Sequence, residues 1–432
     1  MQNEMIGVIC FIIMFGLLAF RMWVGLAMAF AGFIGLYMLR GFDQAWKILY
    51  SSTFNNIATY ALTVIPMFIL MGCVISETSI GSSLYKCMHK WLGHLKGGLA
   101  YATLAATGFL AAITGSQLTG AVVMSRIAFP EMEKLNYKDE LSTGCIVSAS
   151  PLGILIPPST AFVVYGLLTE LPIGKLFIAG IIPGLLTILI FFGVIYLMCK
   201  IDKKMGPASS EKYKFVERLK SSTYVIPVLI VFIVVIFGIY AGIFTATEAG
   251  AIGAGASIVV ALLFRDLTWK KFVKSLKETA NIMGMIILMM TGTYIFSTAI
   301  AYSGLTRYLG HFVTSMNIPQ SSVIIAIIIM YLVLGMFLPE FPMMMLTVPI
   351  IYPIIVQLGI DGIWFGVLVV VLMAVCMMTP PLGMLVFVMS GFVGRPVGVI
   401  YKGVFPFVLG EIVLIVLLTV FPSIATWLPS SM

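Results

Sequence analysis

Apolar runs of roughly membrane-spanning length recur along the whole chain. They fall at about 5–20, 23–39, 57–75, 98–113, 117–129, 141–168, 175–199, 223–241, 243–264, 279–300, 321–338, 343–356, 362–394 and 399–428. A helix needs ~20 apolar residues to cross a bilayer. Only 10% of the 432 residues are charged, against about 25% in soluble domains, so polar side chains are too few to cover a water-soluble surface. The composition predicts an all-α polytopic membrane protein whose solvent is mostly lipid. The net charge of +8 then reports orientation and not a nucleic-acid partner, because Lys and Arg collect in cytoplasmic loops. The N-terminus (Met1-Gln2-Asn3-Glu4) lacks a basic leader and a cleavage site, so the first run reads as a retained helix. Six scattered cysteines without a CxxC pair predict apolar packing and not a metal or disulfide framework.

Two connections are strongly basic. Residues 200–222 hold seven Lys and Arg, Lys212 among them, against Asp202, Glu211 and Glu217, and residues 265–278 hold five against Asp266 and Glu278. Two crossings separate these loops, so both lie on one side, the cytoplasm. The runs at 97–130 and 321–355 are too short for two spans each and are interrupted at Thr114-Gly115-Ser116 and Pro339-Glu340-Phe341-Pro342. Each reads as a re-entrant hairpin, since non-helical backbone survives at membrane depth only where protein or a water-filled cavity serves it. By the loop charges the first opens to the cytoplasm and the second to the outside.

Internal similarity appears at an offset of 223 residues. Pro130, Pro157, Pro158 and Pro183 fall on Pro353, Pro380, Pro381 and Pro406, and Gly81, Leu135 and Gly180 fall on Gly304, Leu358 and Gly403. Chance would supply about half a proline match at one offset. Prolines alone kink ordinary membrane helices, but that does not account for a shared offset. The chain therefore reads as two inverted-topology repeats, an architecture of secondary transporters whose sites lie where discontinuous helices meet. The expected organisation is N-terminal scaffold helices over 1–75, a first repeat over 76–200 with a broken helix at 141–168, a cytoplasmic loop and scaffold helices over 201–300, and a second repeat over 301–432 with a broken helix at 362–394.

Pro157-Pro158 and Pro380-Pro381 remove amide donors and bar the preceding residue from helical angles, so each helix should break in mid-membrane. Freed carbonyls suit a hard cation, and half-helix N-termini suit an anion. The expectation is two Na+ sites, each made by a hairpin tip and its broken helix, drawing on Thr114, Gly115, Ser116, Gly153 and Pro157 in one half and Pro339, Thr379 and Gly383 in the other. A substrate between them would meet Ser116, Gln117, Thr119, Arg126, Pro158, Ser159, Glu340 and Pro381. Arg126 and Glu340 qualify because ionisable groups inside a membrane are functional candidates; Arg126 near a limb end would instead snorkel to the interface. Glu248 is expected to cap a helix start. Residues 79–96 and 267–277 read as interfacial amphipathic helices. An intramembrane enzyme would need a nucleophile-and-base or metal constellation, and the sequence offers no HExxH motif, paired intramembrane Asp or Ser with a partnering His. A channel would carry the same elements without coupling, and saturable, sodium-dependent flux separates the two.

At Gly153–Ser159 (GILIPPS), Phe244–Gly250 (FTATEAG), Leu346–Gly359 and Met378–Gly391 (MTPPLGMLVFVMSG) the chain resembles the large membrane subunit of tripartite ATP-independent periplasmic (TRAP) transporters, a branch of the ion transporter superfamily. That resemblance implies sodium-driven import of a small carboxylate by an elevator motion in a bacterial inner membrane. It also implies a small four-helix membrane subunit and a periplasmic or lipid-anchored substrate-binding protein. A binding-protein-independent antiporter of the same superfamily is the alternative. The chain departs from the family pattern at Glu340, where an Asp-containing tip is common, at Gln117, where a small residue is usual, and at Arg126.

Overall fold

The structure is a computed structural model that describes residues 3–207, 213–223, 225–315, 318–381 and 383–431; Met1, Gln2, Glu211, Lys212 and Leu382 lie outside them. Among the described residues all regular structure is helical. Two antiparallel helices, α1 (Asn3–Ala19) and α2 (Val24–Arg40), precede the amphipathic α3 (Phe42–Ile57). A 3-10 turn (Tyr60–Thr63) leads into α4 (Val64–Ser76), and the chain then bends by 69° into α5 (Ile80–Leu92). Hairpin one is α6 (Gly98–Thr114) and α7 (Gln117–Lys134). The broken helix follows as α8 (Asp139–Ala149), the single turn α9 (Leu152–Leu155) and α10 (Thr160–Thr169), with a 40° bend at the break. The first repeat closes with α11 (Ile173–Ile201), and α12 (Phe215–Ser222) lies in the basic loop.

The second repeat runs α13 (Ile226–Tyr240), α14 (Ala246–Leu263), α15 (Trp269–Ser303), α16 (Leu305–Ser315), hairpin two from α17 (Gln320–Gly335) and α18 (Glu340–Gln357), the broken helix α19 (Gly362–Cys376) and α20 (Met384–Val393), then α21 (Val397–Val420) and the short α22 (Ser423–Ser430). Adding 223 to the bounds of α7 gives those of α18 without remainder, and α1, α2, α5, α6, α8, α10 and α11 find α13, α14, α16, α17, α19, α20 and α21 within about four residues at their starts. The duplication therefore reaches back through α1 and α2, well ahead of the prolines that reveal it. The segment at 267–277 is not a separate helix; it forms the first turns of the 35-residue α15.

Contacts between the halves come in reciprocal pairs. Helix α2 packs on α15 and α14 on α4; α21 packs on α8 and α11 on α19. Small residues permit this closeness, as they do wherever membrane helices must attract by packing alone. A Cβ on Gly32 would lie 2.6 Å from Phe296 Cα, and one on Gly144 would strike the Gly403 carbonyl. Outward faces stay apolar, with Ile230, Ile233 and Phe237 of α13 and Leu185 and Leu189 of α11 exposed, as a lipid solvent requires. The start of α14 is a capping box: Thr245 Oγ1 accepts from the Glu248 amide (3.3 Å) and the Glu248 carboxylate accepts from the Thr245 amide (2.9 Å).

Candidate functional site

Hairpin one turns at Gly115, whose φ of +60° few residues other than glycine adopt. Ser116 follows in extended conformation and caps α7: its Oγ accepts from the Thr119 amide (3.3 Å) and from the Thr119 hydroxyl (3.0 Å). The broken helix reaches this tip directly, because Thr160 Oγ1 donates to the Gly115 carbonyl (3.3 Å). Ser159 caps α10, accepting from the Phe162 amide (3.4 Å) while its hydroxyl donates to the Ile154 carbonyl. Hairpin two is built differently. Pro339 stands where Ser116 stands and offers no capping side chain, so α18 begins with amides that no cap satisfies and with Glu340 in its first turn. An acidic residue there is favoured by the helix dipole.

The tips meet at a cavity of about 450 Å³. Its wall includes Thr114 to Thr119 from tip one, Pro339 to Pro342 from tip two, Thr160 at the start of α10 and Met384 and Leu385 at the start of α20. Four helix N-termini therefore converge on one space, and their partial positive charges add there. The opposing wall comes from α2, α4 and α15, through Gly25, Ile69, Gly72 and Met289. Gly72 presses on the tip so closely that a Cβ would strike the Thr114 carbonyl.

Ser76, Leu118, Thr119 and Glu278 line both this cavity and an adjoining vestibule of about 600 Å³. The vestibule also holds Glu77, Arg126, Lys274 and Lys277. Glu278 and the lysines belong to the basic 265–278 segment, so by the charge rule the cavity opens toward the cytoplasm. Lys274 pairs with Glu77 at 2.6 Å, and among the described residues Arg126 and Lys277 form no ion pair with an acid.

Of the residues singled out from sequence, the cavity gathers Thr114, Gly115, Ser116, Gln117, Thr119, Pro339 and Glu340. The others sit elsewhere. Arg126 is exposed two turns and more down α7, stacked over the Phe392 ring at 5.0 Å. Gly153 is packed against Ala111, where a Cβ would lie 2.6 Å from its carbonyl oxygen. Pro157, Pro158 and Ser159 form the first break and Thr379, Pro380, Pro381 and Gly383 the second, behind the tips; both Pro-Pro bonds are cis. Thr379 Oγ1 donates to the Cys376 carbonyl (3.3 Å), the Gly383 amide to the Thr379 carbonyl (2.9 Å), and the Tyr401 hydroxyl to the Pro381 carbonyl (3.3 Å). Sequence reasoning missed Thr160, although its place one residue beyond a cap after Pro-Pro was a usable signal, and missed the α2, α4 and α15 wall, for which the sequence carries none.

The family model described as "Tripartite ATP-independent periplasmic transporter, DctM component" matches residues 11–424. The C4-dicarboxylate TRAP transporter large permease protein DctM of Pseudomonas aeruginosa is 32% identical, over 87% of this chain and 88% of its own length. The sialic acid TRAP transporter large permease protein SiaM of Vibrio cholerae is 28% identical, over 94% and 96%. Among solved structures, the YdaH transporter of Alcanivorax borkumensis superposes with a TM-score of 0.62 at 13% identity, over 88% of this chain and 89% of that one. That likeness is one of fold.

Proposed function

We propose, from the premise that this chain belongs to the DctM component family of tripartite ATP-independent periplasmic transporters, that it is the translocating subunit for sodium-driven import of a small organic anion. Membership makes it a multi-pass inner-membrane transporter and not an enzyme. The observation that carries the finer reading is the cavity at which both hairpin tips and four helix N-termini converge. Partial charges of that sign favour a carboxylate without stranding a lysine or arginine in lipid. The cations of the vestibule, Arg126, Lys274 and Lys277, would draw the released anion toward the cytoplasm.

Na+ is the coupling ion in this reading, held at the tips: Thr114, Gly115 and Ser116 with the Gly153–Pro157 carbonyl region in the first half, and Pro339, Thr379 and Gly383 in the second. Hydroxyl and carbonyl oxygens are the donors a hard monovalent cation takes. Ordering the tips around sodium would complete the wall that the substrate meets. Movement is of the elevator kind, with hairpins and broken helices sliding past α2, α4 and α15. The Gly72–Thr114 approach supports this, because a contact without interlocking side chains can slide. The partners are a small four-helix membrane subunit and a periplasmic or lipid-anchored binding protein, which delivers a small-molecule carboxylate.

The test is accumulation of labelled small carboxylates, with and without amino groups, by proteoliposomes holding both membrane subunits, supplied with loaded binding protein. An inward sodium gradient should raise accumulation at least about tenfold over an equal potassium gradient. Equal accumulation under both gradients ends the sodium assignment.

A further inference from the structure

Two side chains on the cavity wall occupy the same place in the two repeats. Gln117 is the first residue of α7 and Glu340 the first residue of α18, and they differ by 223. Both line the cavity. Gln117 is 3% exposed, and neither its Nε2 nor its Oε1 has a protein partner. Glu340 Oε2 is buried and equally unpartnered. A buried polar group left unmatched costs about 1–3 kcal/mol, so three such atoms on one wall mark groups kept for something that enters the cavity.

The rest of the wall says what enters. It carries carboxylates at Glu340 and Glu278 and neither lysine nor arginine, and its remaining surface is mostly apolar, with Ile69, Met285, Met289, Phe341, Met384 and Leu385. A dianion would bring two negative charges beside Glu340 with helix termini and the coupling sodium, but no cationic side chain on the wall, to offset them. A molecule with one carboxylate and one N–H-bearing cation suits the site at both ends: the termini take the carboxylate, and Glu340 and the Gln117 carbonyl oxygen accept from the cation. The Gln117 amide nitrogen keeps a donor for the carboxylate.

We propose that Gln117 and Glu340 are a specificity pair that binds an ammonium or guanidinium group of the substrate, so that the cargo is a zwitterionic acid and not a dicarboxylate. This rests on the reading of the cavity as the substrate site.

The experiment measures thermal stabilisation of the detergent-purified membrane subunits at saturating sodium by three probes matched in length: succinate, 4-aminobutanoate and 4-guanidinobutanoate. The two nitrogen-bearing acids should stabilise at concentrations where succinate does not. Glu340→Gln should weaken them about tenfold, the worth of one charge-assisted hydrogen bond, and Gln117→Leu several-fold, with unliganded melting preserved in at least one of the two. Gln117→Glu should tighten them. Succinate binding as well as or better than the nitrogen-bearing acids overturns the proposal, as does stabilisation by none of the three. It is overturned too if Glu340→Gln leaves both the ranking and the half-stabilising concentrations of the three probes unchanged, which would show that Glu340 does not hold the substrate cation. Because sodium is held constant throughout, these outcomes are separate from the gradient-driven accumulation that tests the transport reading.

Discussion

The first and second repeats lay down the same helices in the same order, yet they solve three local problems with different chemistry. Where the first half separates α3 from α4 by a turn, the second runs straight through as α15. The turn occupies residues 58–63, and the residues aligned with it, 281–286, are uninterrupted helix. At the tips, Ser116-Gln117 faces Pro339-Glu340. Behind the tips, each broken helix crosses a hairpin limb at close range: Gly153 meets Ala111 in one half, and Gly335 meets Cys376 in the other. The small residue has moved from the broken helix to the hairpin. Duplication has kept the spacing of the backbones, and side chains on either partner can supply it.

That last difference yields the largest predicted effect. A Cβ on Gly335 would run into the Cys376 side chain, whereas one on Gly153 would meet the Ala111 backbone, with its carbonyl oxygen at 2.6 Å and carbon at 2.7 Å. Gly335→Ala should cost about 1–3 kcal/mol through overpacking, and adding Cys376→Gly should recover a good part of it. Gly153→Ala should cost at least as much, and Ala111→Gly should recover little, because the obstacle is main chain. Melting of the six variants that make up the two double-mutant cycles reads this directly. Equal rescue in both halves would show that the two crossings are equivalent after all.

The tips give the next effect. Ser116 Oγ lies on the cavity and holds only local bonds to Thr119, while Thr379 Oγ1 is turned back to its own helix at Cys376. If the first tip is the better-formed cation site, Ser116→Ala should raise the sodium concentration for half-maximal uptake about fivefold to tenfold, the worth of about 1–1.5 kcal/mol. Thr379→Ala should change it less than about threefold. Unchanged sodium activation in both variants would remove hydroxyl ligands from the account.

The repeat, the hairpins and the breaks were legible because they depend on residues that punctuate helices wherever they stand. Pro157-Pro158 and Pro380-Pro381 cannot continue a helix, and charge counts in two loops fix the sidedness. Helix α3 escaped notice because Asp43, Gln44, Lys47, Ser51 and Asn55 interrupt its apolar residues, so no continuous apolar run marks it. The cavity wall was half legible. Thr114 to Thr119 and Pro339 to Glu340 follow from interruptions in the chain, but Gly72 and Met289 belong to unbroken helices and are brought there by packing alone. Arg126 looked like a substrate anchor from its position in an apolar limb; the structure stacks it on Phe392 in the vestibule.

A weaker contrast lies at the cytoplasmic ends. Arg395, between α20 and α21, pairs with Glu133 at 2.5 Å and Asp139 at 2.8 Å, joining the second repeat to the start of the first broken helix. The equivalent position in the first repeat is Pro172, so this clamp has no counterpart on the opposite face. Arg395→Gln should cost about 0.5–1 kcal/mol at low ionic strength and less in high salt. A loss that salt does not diminish would mean that Arg395 acts by packing on the Phe129 ring instead.

The smallest effect belongs to Lys138 and Asp202, which join the start of α8 to the end of α11 at 2.5 Å within the first repeat. The hydrogen bond from Lys138, helped by the Lys204 amide, holds the Asp202 carboxyl below the usual carboxylate range. A carboxylate depressed in the folded state adds stability that is complete above its unfolded value of about 4 and is lost as pH falls through the folded one. Both side chains are solvated, so Lys138→Ala should lower melting at neutral pH by less than Arg395→Gln does. The difference between Lys138→Ala and the parent protein should shrink on acidification below about pH 4, where the partner carboxylate protonates. A gap that persists or widens at low pH would show that Lys138 supports α8 through something other than this pair, and would leave Arg395 as the ionic tie that holds the first broken helix in place.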